Sequence, residues 1–146
     1  MEQSDLIAMA RAAAGHHNLD PSLVCAVCEQ ESGWNQWAIR YEPGFLSRYV
    51  MPLYQRGGMT VTEAYTRAMS WGLMQILGEV AREFEFAGAS LAELCDPATG
   101  LEYGCRKLAD CLTRAKGDEA AALQQYNGGS NVNYASQVLA RKVRYL

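Results

Sequence analysis

The chain has 146 residues, 49% of them apolar and 20% charged, with a formal net charge of −3. This is the length of one ordinary domain, with enough apolar side chains for a core, which excludes a disordered chain. The acidic balance argues against nucleic acid as a partner, and no apolar run approaches the roughly 20 residues that span a bilayer, so no transmembrane segment is expected.

The first five residues carry Glu2 and Asp5 and no Lys or Arg. They lack the charged start of a secretory signal peptide. The expectation is a removed leader, another route out of the cell, or retention inside. Leu6, Met9, Ala10 and Ala13 then form a helical stripe, which predicts a helix near 3–17. Asp20-Pro21 supplies an N-cap and a proline at the first helical position. A second helix follows, burying Leu23, Val24, Val27 and Cys28 and stopping near Ser32-Gly33. Pro43, Gly44, Pro52, Gly57 and Gly58 predict that 34–59 is mostly loop. Thr60 with Glu63 resembles a capping box opening a short helix to about Met69, and 72–76 reads as a single turn. Glu79–Phe86 has helical spacing. Asp96-Pro97 opens a long helix to about Lys116, Asp118 caps another to about Tyr126, and a last helix begins near Val132 or Asn133. No period-2 alternation persists, so no sheet is predicted, and the fold class is all-α: one domain over 1–146 with seven or so helices.

Five cysteines (25, 28, 95, 105 and 111) are an odd number, against a complete disulfide framework. Cys25-x-x-Cys28 has no second pair and no nearby His at zinc-ligand spacing. These thiols are expected to be small buried apolar side chains, with no metal.

Three segments carry polar groups suited to chemistry. In Glu29-Gln30-Glu31-Ser32-Gly33-Trp34-Asn35, residues two apart on a helix point about 200° apart, so Glu29 and Glu31 face different surroundings. Glu31 falls at the helix C-terminus, where the macrodipole raises a carboxyl pKa, and Trp34 and Trp37 are expected as apolar walls raising it further. A carboxyl kept protonated is what a general acid needs; an ordinary surface acid is the alternative. Ser70-Trp71-Gly72-Leu73-Met74-Gln75-Ile76 is either a packing turn or a way to aim the Gln75 amide. Gln125-Tyr126-Asn127-Gly128-Gly129 is either a helix end or a display of Tyr and Asn at a cleft.

Together and in this order, the segments resemble the catalytic domain of soluble lytic transglycosylases, which has a goose-type-lysozyme-like fold. The matching text is Glu31-Ser32 with Trp34-Asn35, Gly72-Leu73-Met74-Gln75-Ile76, and Tyr126-Asn127-Gly128-Gly129, supported by Asp96-Pro97, Asn133-Tyr134 and Val138-Leu139. The resemblance covers roughly 19–141. It implies a monomeric enzyme acting on the cell wall, outside the inner membrane. Peptidoglycan glycan strands would be cleaved between N-acetylmuramic acid and N-acetylglucosamine, with no cofactor. By motif, Glu31 is the single acid/base and Gln75 holds acetamido or hydroxyl groups. Tyr126 sits beside the carboxyl, and Asn127, Met74, Ser70 and Tyr41 complete the expected substrate contacts. A hydrolysing muramidase and a non-catalytic glycan-binding module are the alternatives.

The chain departs from the family pattern. Arg40 stands about nine residues after Glu31, where the family usually has Ser, and Ser130 and Leu77 replace an acid and a Met. The stretch from Glu31 to Gly72 is roughly two dozen residues longer than usual, an insertion at about 38–69. It carries Tyr41, Tyr49, Tyr54, Tyr65, Arg40, Arg48 and Arg56, and reads either as an extended cleft wall for sugars and peptide carboxylates or as a self-packing unit. Glu42, inside it, is a possible second acid that nothing in the sequence locates in the cleft.

Overall fold

A computed structural model describes residues 1–146. Its elements are α1 (Gln3–His16), α2 (Pro21–Ser32), β1 (Ile39–Tyr41), α3 (Pro43–Phe45), a π-helical turn (Leu46–Val50), α4 (Met51–Gln55), α5 (Val61–Arg67), β2 (Met69–Trp71), β3 (Ile76–Leu77), α6 (Gly78–Glu83), a 3₁₀ turn (Leu91–Cys95), α7 (Pro97–Arg114), α8 (Glu119–Asn127), α9 (Tyr134–Lys142) and a closing 3₁₀ turn (Val143–Tyr145).

The helix starts follow from local chemistry. Asp20 accepts from Ser22 N at 2.8 Å, Asp96 from Thr99 N at 3.0 Å and Asp118 from Ala121 N at 3.1 Å, each satisfying a backbone donor that a helix N-terminus leaves free. Helix α2 is enclosed from Ser22 to Cys28, because α1, α9 and the closing 3₁₀ turn pack on it and residues of α7 and α8 share its core. This core also takes in Leu73, Met74, Tyr126 and Tyr134. All five cysteines are free thiols in buried positions, and burial pushes the Cys105 thiol up to about 12.

Two sequence expectations are corrected here. A small antiparallel sheet exists, in the order β1-β2-β3, pairing Arg40 with Ser70 and Trp71 with Ile76. Strands of two or three residues are too short for alternation to register in sequence. Second, 43–55 is helical rather than loop. Pro43 sits at the start of α3, where its missing N–H costs nothing. The wider π turn ends at Val50, two residues before Pro52, whose ring and missing N–H do not fit a regular helix interior.

The inserted region has its own small core of Leu46, Val50, Ala64 and Ala68, with Phe45, Met51, Tyr54 and Met59 against it. An ion-pair network ties it to α6: Arg82 grips both oxygens of Glu63, at 2.8 and 2.9 Å, and Arg67 bridges Glu63 and Glu79. Glu63 therefore does not complete a reciprocal capping box; Thr60 accepts from Glu63 N, but the carboxylate is spent on arginines. No helix is long and apolar enough to cross a membrane.

Candidate active site

The two acids near the end of α2 have opposite surroundings. Glu29 is held by Arg141, Arg144 and the Tyr145 hydroxyl. Burial alone would raise its pKa, but these donors and charges overcome it and hold the carboxyl below its usual value. It is a structural anion that fastens the C-terminal turn to α2.

Glu31 points the other way, into a cleft of about 690 Å³ that it lines with Arg40, Glu42, Ser70, Gln75, Lys107 and Tyr126, among others. Its carboxyl keeps partial access to solvent while protein crowds it on most sides, and this burial raises its pKa. Three groups pull the other way and only partly compensate: the Tyr134 hydroxyl, then the charges of Lys107 and Arg40. The Tyr134 hydroxyl is close enough to influence Glu31, yet it is a buried polar atom without a properly formed hydrogen bond. Glu31 lies in the last turn of α2, so the helix carbonyls also face it. The expected tryptophan walls are corrected. Gly33 and Trp34 both take left-handed backbone angles (φ 58° and 66°), turning the chain away from α2. Trp34 is buried with its indole N–H on the Tyr145 hydroxyl at 2.9 Å, Trp37 is exposed, and neither lines the cleft. Tyr126 lines the cleft instead, and Tyr134 lies buried close to the Glu31 carboxyl.

The motif segments brace one another. The Ser32 hydroxyl lies 2.8 Å from the Leu73 carbonyl and 3.0 Å from that of Cys28, so it ties the end of α2 to the turn after β2. The Tyr126 hydroxyl donates to the Met74 carbonyl at 2.6 Å, tying α8 to the same turn. Gly72 is required twice: its φ is +72°, and a Cβ would meet the Leu94 carbonyl oxygen at 2.6 Å. Gln75, at φ 49°, donates its amide to the carbonyls of Ala38 and Gly72 at 2.9 and 3.1 Å. Its side-chain oxygen has no hydrogen-bond partner in the protein, and the residue lines the cleft.

The expected substrate contacts therefore divide. Glu31, Gln75, Ser70, Tyr126 and Asn127 share the cleft, although Tyr126 is almost wholly buried with its hydroxyl committed, and Asn127 Oδ1 accepts from Asn131 N at 2.9 Å. Met74 is not brought to the cleft lining: its side chain is fully buried against Gly104. Tyr41 is not brought to the cleft lining: Arg40 and Glu42 on either side of it line the cleft, while its ring lies 6.0 Å from that of Tyr65. Of the arginines in the insertion, Arg40 alone lines the cleft.

Of the polar lining residues, Lys107 escaped the sequence reading, and Glu42 was named there without a place. Lys107 of α7 donates to the Tyr126 carbonyl at 2.8 Å and lies 4.1 Å from the centroid of the Tyr126 ring. Burial lowers its pKa, against the charges of Cys111 and Glu31. Glu42, which the sequence left unlocated, reaches the cleft and pairs with Arg40 at 2.6 Å. No group of three His, Cys, Asp or Glu side chains is arranged to hold a metal.

A family model described as the transglycosylase SLT domain matches residues 8–142, nearly the whole chain. The chain belongs to the SLT transglycosylase domain family. Its fold is accordingly the all-α, lysozyme-like SLT domain, and the family acts on the peptidoglycan of the cell wall. No curated protein and no solved structure gives a significant match.

Proposed function

We propose that this SLT domain is a lytic transglycosylase that cleaves the β-1,4 bond between N-acetylmuramic acid and N-acetylglucosamine, with Glu31 as its single acid/base. The observation that carries this reading is the contrast between the cleft's two carboxyls. Burial raises the pKa of Glu31, whereas Glu42 is ion-paired with Arg40. A crowded carboxyl that retains its proton suits a general acid. The Arg40–Glu42 pair is exposed and weak, with Arg40 70% exposed, so what sets Glu31 apart from Glu42 is its burial.

In this mechanism the Glu31 proton passes to the glycosidic oxygen as its bond to the muramyl anomeric carbon breaks. Positive charge builds on that sugar ring, and the neighbouring N-acetyl carbonyl shares it. Glu31, now a carboxylate, accepts the proton of the C6 hydroxyl as the C6 oxygen bonds to the anomeric carbon. The product ends in a 1,6-anhydro ring, no water is consumed, and Glu31 regains its proton. Holding the C6 hydroxyl over the anomeric carbon makes the second step intramolecular, which replaces a water molecule that would otherwise have to be positioned. The unpaired Gln75 oxygen suits an acetamido N–H or a sugar hydroxyl. The whole of 1–146 acts as one domain, with 38–69 as an elaboration of its cleft rim.

The presence of Glu42 in the same cleft favours one second reading, hydrolysis by a water that Glu42 activates. Mass spectrometry of digested peptidoglycan distinguishes the two. Anhydromuramyl ends, abolished by Glu31→Gln, are the expected result. Reducing ends, abolished by Glu42→Gln as well, would establish hydrolysis. Site of action follows from the substrate: the periplasm or the outside of a cell, reached by export or by phage-type release.

A further inference from the structure

Two cations line the Glu31 cleft, Arg40 and Lys107, and they are held differently. Arg40 lies on the short strand β1 with its side chain mostly in water, and Glu42 faces it at 2.6 Å. Water and that carboxylate both screen its charge. Lys107 stands in the middle of α7 and is half-buried. Its ammonium donates to the Tyr126 carbonyl at 2.8 Å and sits 4.1 Å from the centroid of the Tyr126 ring. Both of these partners are neutral, and no ion pair reaches it. The carbonyl and the ring face offset only part of the cost of withdrawing an ammonium from water. Tyr126 is itself fixed, because its hydroxyl is held by the Met74 carbonyl at 2.6 Å.

Glu31 lacks a counter-ion as well, in contrast to Glu29 with its two arginines. The titratable and charged groups that face Glu31 are Cys28 of α2, Arg40 of β1, Lys107 of α7, Tyr126 of α8 and Tyr134 of α9, with Glu42 lining the same cleft. Burial pushes the Cys28 thiol and both phenols up, so all three are neutral. Lys107 faces Glu31 on one side and Cys111, another buried thiol raised in the same way, on its own helix. Glu83, Asp110 and Arg114 lie in the space beyond it, where Asp110 pairs with Arg114 and Glu83 interacts with Glu79. Lys107 is therefore the one half-buried positive charge that the Glu31 carboxyl meets.

We infer that Lys107 is a positioning residue of the proposed reaction: its ammonium, pinned to Tyr126 on the cleft wall, is the counter-charge for the carboxylate that Glu31 becomes when its proton leaves. The inference rests on the proposed glycan cleavage. Lys107 keeps its own proton throughout. In the first step the Glu31 proton goes to the glycosidic oxygen as that bond breaks, and negative charge is left on a crowded carboxylate that water reaches poorly. An ammonium already in place stabilises this charge with no reorganisation. In the second step the C6 hydroxyl proton returns to Glu31 and the charge is cancelled.

The test removes the charge and keeps the hydrogen bond. Lys107→Gln retains an N–H donor for the Tyr126 carbonyl, and Lys107→Arg retains the charge. In Lys107→Gln the alkaline limb of the cleavage profile should move up by about one pH unit, because Glu31 then gives up its proton less readily. Below that limb kcat should fall roughly fivefold, with KM changed by less than about twofold. Lys107→Arg should keep the limb in place. Loosened packing alone would lower activity and leave the limb where it is. A second measurement leaves Lys107 untouched, needs no activity and stands even where Lys107→Gln fails to fold: the ammonium is titrated by NMR in the wild type and in Glu31→Gln. Coupling between two sites is reciprocal, so removing the Glu31 charge should lower the Lys107 midpoint by a similar amount. An unmoved limb in Lys107→Gln, or an unmoved Lys107 midpoint in Glu31→Gln, would overturn the role of Lys107 and leave glycan cleavage standing. A wild type that cleaves no peptidoglycan would overturn the glycan reading and this role with it.

Discussion

The molecule has two regions built on different principles. In the helical body, α2, α7, α8 and α9 enclose one large core, and the polar groups of the site are fixed by contacts between segments far apart in sequence, such as Ser32 to Leu73 and Tyr126 to Met74. In the inserted region, a core of only four buried residues is supplemented by the Glu63–Arg82–Arg67–Glu79 network. The first region can hold a carboxyl in a costly environment, because many packed neighbours over-determine its position. The second cannot store such strain; it contributes the paired Arg40 and Glu42 to the rim and leaves rings such as Tyr41 and Tyr49 facing outward.

Substitutions can break this contrast, beginning with the strongest. Glu31→Gln removes the acid, and turnover should fall by roughly 10²- to 10⁴-fold in a cell-wall clearing assay, while circular dichroism shows the fold intact. The same variant should be more stable than the wild type near neutral pH. Glu31 binds its proton more tightly when folded than when unfolded, so its contribution to stability declines as pH rises from the ordinary carboxyl range through its raised value, and Gln escapes that loss. Denaturant titrations at acidic and neutral pH measure the difference, which should be near zero at the acid end.

Gly72→Ala strikes the brace between the regions. A Cβ at φ +72°, pressed on the Leu94 carbonyl, should cost about 3 kcal/mol in denaturant unfolding. Arg82→Met should cost less, about 2 kcal/mol, because it leaves Glu63 with Arg67 as a remaining partner. Its signature should be local: hydrogen exchange accelerates across 43–67 and not in α2 or α7. Uniform acceleration through both regions would mean that they are one cooperative unit.

How much of this was legible in the sequence follows the same division. The helices that begin with Asp20-Pro21, Asp96-Pro97 and Asp118 were readable because a cap is a contact between residues two or three apart. The division of labour between Glu29 and Glu31 was readable in outline from helix geometry. The sheet was not, since its pairing of 39–41 with 69–71 depends on partners thirty residues away. Nor was the helical run 43–55, where proline and glycine mimic a loop unless one sees which positions they occupy. Lys107 has no local signature: it is one lysine on a long helix, and only the docking of α8 against α7 turns it toward the cleft. Tyr134 was noted as a matching residue, but its approach to Glu31 comes from the packing of α9 on α2.

Glu31 and Glu29, two residues apart, differ in the direction their surroundings shift the carboxyl pKa: burial raises the first, while a tyrosine hydroxyl and two arginines lower the second. The most direct measurement is a ¹³C NMR titration of the side-chain carboxyls of the two residues alongside the pH profile of glycan cleavage. The account predicts that Glu29 titrates below the ordinary glutamate value and Glu31 above it, with cleavage falling as Glu31 loses its proton. A Glu31 midpoint at or below that of Glu29, or a cleavage rate indifferent to it, would contradict the account.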